Sequence, residues 1–165
     1  MKWVAVVVLV LVLLLIWRQM FAGWRARVRR QQGLAAPASP QGWTRGAGAL
    51  EGTYVSTTDA GHGLERIAVH GLGTRSAVAV EVSERGVALF REGARSFVVP
   101  RADIVGVGRS GGMVGKWVGG AGLVVLRWKL GERVVDTGVR LRRVEEGNRL
   151  VQQVEELMSP RGGQR

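Results

Sequence analysis

Asp136 lies in the segment VVDTGV, residues 134–139, a motif that makes it a candidate catalytic carboxylate. Two apolar residues followed by Asp, Thr and Gly are typical of aspartic proteases, in which two carboxylates share one proton. A homodimer would supply the second carboxylate. Against this chemistry, Val139 stands where Ser or Ala is usual, and the hairpin register derived below places Asp136 opposite Arg127. We therefore interpret Asp136 as half of a surface ion pair.

Two glycine-rich patterns raise the possibility of phosphate binding. GVGRSG at 106–111 has the spacing of a dinucleotide site, but that site needs a helix to begin at this point. The residues that follow, MVGKWVGGAG, do not favour a helix start. Gly115 and Lys116 fall short of a P-loop because Trp117 follows them instead of Ser or Thr. We predict a glycine loop over 110–122 that binds no cofactor, with Lys116 and Trp117 as candidate contacts for a partner.

Metal and thiol chemistry are not indicated by the composition. The sequence has no cysteine, so it has no disulfide and no Cys-ligated metal. His62 and His70 are its only histidines, and neither flanks a nucleophile motif. We predict no metal, no cofactor and no catalytic residue, and hence a protein that is not an enzyme.

The longest apolar run extends from Trp3 to Trp17. As a helix it reaches about 22 Å, which is short of a hydrocarbon core of about 30 Å. If Arg18 snorkels and the helix continues to Trp24, the span is about 31 Å, with tryptophan at both interfaces. We therefore predict one transmembrane helix, with membrane-interface residues Trp3, Trp17, Trp24, Arg18, Arg25, Arg27, Arg29 and Arg30. A cleaved secretory signal is the alternative, but no small-residue cleavage site closes the run.

The net charge of +11 is unevenly distributed along the chain. All thirteen acidic residues lie at or beyond Glu51, with seventeen of the twenty-four basic residues, so this part carries +4 and the first fifty residues carry +7. Positive charge close to an apolar helix is retained on the cytoplasmic side and attracts anionic headgroups. We predict a cell-membrane protein with the N-terminus outside and the domain in the cytoplasm, with the lipid bilayer as one partner. Nucleic acid is not a predicted partner.

The remaining segments divide the chain into four parts. Residues 1–24 are the predicted anchor, 25–50 a basic juxtamembrane arm and flexible linker rich in Ala, Gly and Pro, 51–160 one domain, and 161–165 a disordered tail. Short β-rich runs separated by glycine predict antiparallel strands at 53–57, 66–69, 76–82, 87–91, 96–99, 104–107, 123–130 and 133–142. Apolar residues at helical spacing predict an amphipathic helix over 145–158.

The clearest local signal is the hairpin VVLRWKLGERVVDTGVRL. With Gly131 and Glu132 as a two-residue type II′ loop, Trp128 lies opposite Val135 on the inner side. Arg127 then lies opposite Asp136 on the outer side, at the distance of a cross-strand ion pair.

About seven strands closed by one C-terminal amphipathic helix resemble the pleckstrin-homology-like (PH-like) antiparallel β-barrel. The order HGLGTR, GVALFREGARSFVVPRADIVGV, GKWVGGAGLVVLRWKLG and VVDTGVR is similar to that of small single-span PH-like membrane proteins of actinobacteria. The resemblance implies an N-terminal transmembrane helix joined to a mainly-β α+β domain that binds or scaffolds other molecules and has no established chemistry. The basic cluster of a phosphoinositide site does not carry over, because STTDAGHGLER supplies only Arg66.

Together these features predict a membrane-tethered, cytoplasmic, non-catalytic interaction or scaffold module. Its protein partner, a cytoplasmic enzyme or a membrane complex, is not identified by the sequence. The alternative is an accessory subunit of a transporter or export complex. The predicted helix carries no intramembrane acid, so solute conduction by this chain alone is not indicated.

Overall fold

The computed structural model describes residues 2–31, 33–110 and 122–159. Side chains are described for these residues except 2, 4, 5, 7, 22, 24–31 and 62–64. The chain forms two compact units, residues 1–33 and 34–165, which are taken separately here.

The first unit contains one helix, α1, over Lys2–Gln31. Its apolar side chains are exposed in an unbroken run from Val8 to Trp17, and Met20 and Phe21 are exposed beyond it. The Trp17 and Phe21 rings contact each other, with centroids 4.6 Å apart. The spanning helix predicted over 3–24 is not found in the described part of the chain, where no helix meets the length and apolarity needed to cross a membrane.

The second unit is an antiparallel β-sheet followed by a helix, α2, over Val144–Met158. The strands are β1 Leu50–Asp59, β2 His62–Arg66, β3 Ser76–Ser83, β4 Gly86–Arg91, β5 Phe97–Pro100, β6 Ile104–Ser110, β7 Leu123–Leu130 and β8 Arg133–Leu141. Their order is β5-β4-β3-β1-β8-β7-β6, with β2 paired to β1. An antiparallel sheet with a C-terminal helix is therefore confirmed. The strand predicted over 66–69 is wrong, because β2 ends at Arg66 and a 3₁₀ turn follows over Val69–Gly71.

The predicted closure of the sheet into a barrel is also wrong for the described strands. β5 and β6 stand at the two ends of the hydrogen-bonded order and do not pair with each other. β5 ends at Pro100, which has no N–H, and a 3₁₀ turn over Arg101–Asp103 redirects the chain into β6. Helix α2 packs against β6, β3, β7 and β8 and buries Leu150, Val154 and Leu157. The helix therefore shields the interior in place of further strand pairing.

The β7–β8 hairpin has the predicted register, with Trp128 opposite Val135 and Arg127 opposite Asp136. Gly131 has φ of 62°, as the first position of a type II′ turn requires. A type I′ turn would require positive φ at Glu132 as well. Among the described residues, His70 is the sole non-glycine residue with positive φ, so a type I′ turn is excluded. Trp128 is 1 % exposed and stacks on Phe97, with ring centroids 5.8 Å apart.

Residues 34–49, which we call the strap, contact the domain where the sequence predicted a flexible linker. Leu34 is buried in the core, and its carbonyl accepts a hydrogen bond from Nε2 of His70 at 3.0 Å. Ala38 forms a β-bridge with Val98, whose N–H donates to the Ala38 carbonyl at 2.8 Å. The strap therefore supplies a backbone partner to the edge strand β5, which lowers its tendency to pair with another chain.

A second set of contacts holds the middle of the strap. The Arg85 guanidinium donates to the Gly42 carbonyl at 2.8 Å and lies 4.6 Å from the centroid of the Trp43 ring. The N–H of Gly46 donates to Glu81 at 3.3 Å. Trp43 thus lies against the domain, under a guanidinium on the β3–β4 turn.

Candidate functional site

An arginine-lined cleft lies where three strands and a helix come together at one end of the sheet. It measures about 260 Å³ and is lined by four arginines, Arg109, Arg140, Arg142 and Arg143. β6 contributes Arg109 near its end, β8 contributes Arg140, and the link from β8 to α2 contributes the other two. β6 and β8 each pair antiparallel with β7 and therefore run in the same direction, so the last residues of both strands lie at the same end of the sheet. Residues more than thirty positions apart in sequence therefore meet in one cleft. We call this the arginine cleft.

Arg109 is fixed against the first turn of α2. Its guanidinium donates to the Val144 carbonyl at 3.2 Å and to the side-chain oxygen of Asn148. Gly147 lies beneath it, and a Cβ at that position would be 3.5 Å from the guanidinium. Both acceptors are uncharged, so these contacts supply no counter-charge to Arg109.

Arg142 has a carboxylate partner on the neighbouring strand. Its guanidinium is 2.9 Å from Glu51, which also accepts a hydrogen bond from Arg45 at 2.5 Å. Arg45 also has Glu92 as a second carboxylate partner at 3.9 Å, so the unpaired positive charge of the cleft lies on Arg109, Arg140 and Arg143.

Arg140 and Arg143 are exposed, and neither forms an ion pair with any residue in the described ranges. The backbone N–H of Arg143 donates to the Glu146 carboxylate at 3.2 Å, which caps the start of α2. The Arg143 side chain remains available for a ligand. A planar guanidinium donates several hydrogen bonds in a fixed fork, which suits carboxylate and phosphate oxygens.

The described interior of the domain contains a space much smaller than the arginine cleft. This interior cavity measures about 10 Å³ and is lined by aliphatic side chains and Thr137. This is close to the lower limit for a single water molecule. This cavity is therefore too small for a ligand larger than water.

A chain of hydrogen bonds crosses the core beside that cavity. Trp128 Nε1 donates to the Thr137 hydroxyl at 2.9 Å, Thr137 and Thr57 are 2.7 Å apart, and Thr57 and Tyr54 are 2.6 Å apart. Tyr54 uses its proton to donate to the Leu72 carbonyl at 2.7 Å. Because each hydroxyl has one proton, the direction is fixed, running from Trp128 through Thr137, Thr57 and Tyr54 to Leu72. This network satisfies buried polar groups and presents no reactive atom to solvent.

Arg91 is a buried cation that is also fully engaged. Its guanidinium lies 3.9 Å from the centroid of the Tyr54 ring and donates to Ser76 Oγ at 2.9 Å. The Gly71 and Thr74 carbonyls accept two more bonds, at 3.0 and 2.5 Å. Burial lowers the pKa of Arg91, an effect that the neighbouring Tyr54 opposes. These contacts assign Arg91 to the support of the loops that precede β3.

Asp136 lies where the predicted register puts it, but it is not on the surface. Its carboxylate accepts two hydrogen bonds from Arg127, at 2.7 and 2.8 Å, which confirms the ion pair. Only 6 % of Asp136 is exposed, because β1 pairs along β8 and sets Thr58 opposite it. The predicted surface position is therefore wrong. A carboxylate clamped by a bidentate arginine is poorly placed to share a proton with a second carboxylate.

The remaining predicted residues are distributed as follows. Trp3, Trp17 and Arg18 are exposed on α1. The side chains of Trp24, Arg25, Arg27, Arg29 and Arg30, and the whole of Lys116 and Trp117, lie outside the described residues. Within the described ranges, no three His, Asp or Glu side chains are grouped as metal ligands.

Sequence reasoning missed the arginine cleft. The sequence RLRR at 140–143, directly before the predicted helix, indicates a cluster of positive charge. Arg109 lies in a separate segment, GVGRSG, whose glycine spacing suggests phosphate-binding motifs instead. Only the pairing of β6 with β7 and of β7 with β8 shows that these arginines share a surface.

Comparison with known proteins gives one finding on family. A family model described as bacterial PH domain-like matches residues 32–155, which is most of the chain. The match includes the strap, all eight strands and all but the end of α2. Among curated proteins, none matches the chain significantly.

Proposed function

This chain belongs to the bacterial PH domain-like family, and on that premise we propose that it is a membrane-tethered, non-catalytic interaction module whose domain holds a protein partner at the cytoplasmic surface of the cell membrane. PH-like domains commonly mediate protein or lipid interactions, and the arginine cleft of this one presents hydrogen-bond donors on the surface. The carrying observation is the unbroken exposed apolar run on α1, from Val8 to Trp17.

The apolar run supports tethering on energetic grounds. Leu9, Leu13 and Leu15 are each more than half exposed. Apolar surface in water costs roughly 25 cal/mol per Å², so a continuous run of this kind needs an apolar environment. The arginines that follow it in sequence, from Arg18 to Arg30, favour retention of that end at an anionic cytoplasmic leaflet.

The scaffold role is supported by what the described surface presents. The arginines of the cleft are set out as hydrogen-bond donors, and no nucleophile and base are brought together beside them in the described ranges. Binding without turnover is the function that such a surface serves best.

Tethering is tested by alkaline extraction of membranes from cells that produce the full chain. We expect the wild-type chain to stay in the membrane pellet. The variant Leu11→Asp, Leu13→Asp should move to the supernatant, because each acidic residue at the centre of a membrane helix costs about 2.5 to 3.5 kcal/mol.

The matched control makes the same change at exposed apolar residues of the domain, Val105→Asp and Val144→Asp. This control should stay in the pellet. A wild-type chain that is extracted, or an α1 variant that is retained like the control, would refute tethering through α1. Affinity purification of the detergent-extracted chain then separates the partner classes, since soluble enzymes support a scaffold and multi-span proteins support a transport subunit.

A further inference from the structure

The arginine cleft contains more positively charged side chains than the described carboxylates neutralise. Four guanidinium groups line a space of about 260 Å³, and no carboxylate is among its lining residues. Arg142 is paired with Glu51, and Arg45, which also contacts Glu51, has Glu92 as a second carboxylate partner. Arg109, Arg140 and Arg143 have no carboxylate partner among the described residues. Clustered like charges destabilise a folded chain unless a counter-charge joins them. A bound anion would supply the missing counter-charge in the cleft.

The acidic residues close to the cleft do not supply that counter-charge. Glu145 and Glu146 belong to the first turn of α2, and neither lines the cleft. Glu146 is engaged with the backbone N–H of Arg143. Arg140 and Arg143 therefore keep their positive charges unpaired within the residues that the structure describes.

We propose that the arginine cleft is a binding site for a phosphate group, carried by a small soluble ester or by a lipid headgroup. Phosphate presents several acceptor oxygens, and the guanidinium fork matches it with paired hydrogen bonds. Arg109 is held in place by Val144 and Asn148, so one donor is preorganised before the ligand arrives. Arg140 and Arg143, which are exposed and have no ion-pair partner in the described ranges, supply the further donors to the phosphate oxygens.

The dimensions of the cleft limit the ligand. Pockets for drug-sized ligands measure about 300 to 1,000 Å³, so this cleft is at or below the small end of that range. It accommodates one phosphate with a small group attached and is too small for a dinucleotide. The cleft is also separate from the β1–β2 hairpin, whose sequence over residues 50–66 contains Arg66 as its only Lys or Arg.

The test uses the full chain in neutral detergent, titrated calorimetrically with inorganic phosphate and with glycerol 3-phosphate at constant ionic strength. We expect saturable binding that weakens by about tenfold or more in Arg140→Gln, Arg143→Gln. The matched control is Arg75→Gln, Arg95→Gln, which removes the same charge from exposed arginines outside the cleft. All four side chains are on the surface, and an unchanged circular dichroism spectrum establishes that both variants fold.

A second arm distinguishes a headgroup from a soluble ester. The full chain is reconstituted in nanodiscs of phosphatidylcholine with or without phosphatidylglycerol, and unfolding of the domain is followed by tryptophan fluorescence. If the ligand is a headgroup, phosphatidylglycerol raises the unfolding midpoint of the wild type and of the control but not of the cleft variant. If it is a soluble ester, only the calorimetric arm shows binding that the cleft variant loses. No response in either arm, or an equal loss in the cleft and control variants, overturns the proposal.

Discussion

Two neighbouring threonines, Thr57 and Thr58, have different hydrogen bonding in the structure, although the sequence gives no sign of this difference. Thr57 and Thr58 are consecutive on β1, and both are fully buried. Thr57 belongs to the hydrogen-bond chain that runs from Trp128 to the Leu72 carbonyl, whereas the Thr58 hydroxyl has no partner among the described residues. A buried hydroxyl is favourable only when it is satisfied, so the two positions should respond oppositely to the loss of that group.

We predict that Thr57→Val destabilises the domain by about 1 to 3 kcal/mol, because the Thr137 hydroxyl loses its acceptor and the Tyr54 oxygen loses its donor. Thr58→Val, its matched control, should be neutral or stabilising, since it removes an unsatisfied group without changing the volume greatly. Denaturant unfolding of the two variants measures both effects. Equal destabilisation would show that the hydrogen-bond chain contributes nothing specific.

Tyr54 gives the domain a predicted sensitivity to high pH. Burial raises the pKa of Tyr54 to about 12, although the Thr57 hydrogen bond and the Arg91 charge act in the opposite direction. An unfolded tyrosine titrates near pH 10, so deprotonation at intermediate pH favours the unfolded chain. The contribution of Tyr54 is therefore complete below about pH 10 and is lost as the pH rises through about 12.

We expect the stability of the wild-type domain to fall by about 2 to 3 kcal/mol more than that of Tyr54→Phe across this pH interval. Tyr54 is the only tyrosine in the chain, so tyrosinate absorbance reports its titration directly. Titration of the folded chain near pH 10 would contradict the burial-induced shift.

At the scale of elements, how well the sequence predicted the fold depended on how local each contact is. The β7–β8 register followed from one two-residue loop, because Gly131 and Glu132 fix every pair along the hairpin. The burial of Asp136 did not follow, because it depends on β1, whose Thr58 lies far away in sequence. The strap was missed for a related reason, since an Ala-, Gly- and Pro-rich segment has no periodicity from which packing can be inferred.

The strap leads to a prediction about where the domain begins. Leu34 is 8 % exposed and belongs to the same core cluster as Trp128 and Leu150. Leu34→Ala should therefore destabilise the domain by about 2 to 5 kcal/mol, as a large-to-small core change does. Val105→Ala on the exposed face of β6 is the control and should change stability by less than about 0.5 kcal/mol. A Leu34 variant as stable as this control would mean that the strap does not contribute to the fold in solution.

For the molecule as a whole, the chain combines a helix with exposed apolar side chains and a domain with an arginine cleft on its surface. The sequence predicted the antiparallel sheet and the C-terminal helix, since these depend on short-range patterns of apolar residues and glycine. It did not predict the arginine cleft, which is assembled from separate segments by strand pairing. The proposed function joins the two units, because tethering by α1 would concentrate the surface of the domain at one membrane face.

The side of the membrane on which the domain lies can be measured directly, and Ser39 is a suitable reporter for this measurement. Ser39 is exposed on the strap, and the chain contains no native cysteine, so Ser39→Cys introduces a single accessible thiol. The arginines that follow the apolar run predict a cytoplasmic domain. We therefore expect this thiol to resist a membrane-impermeant maleimide in intact cells and to react fully after lysis. Labelling of Ser39→Cys in intact cells would place the domain outside the cell and contradict the proposed role as a cytoplasmic scaffold.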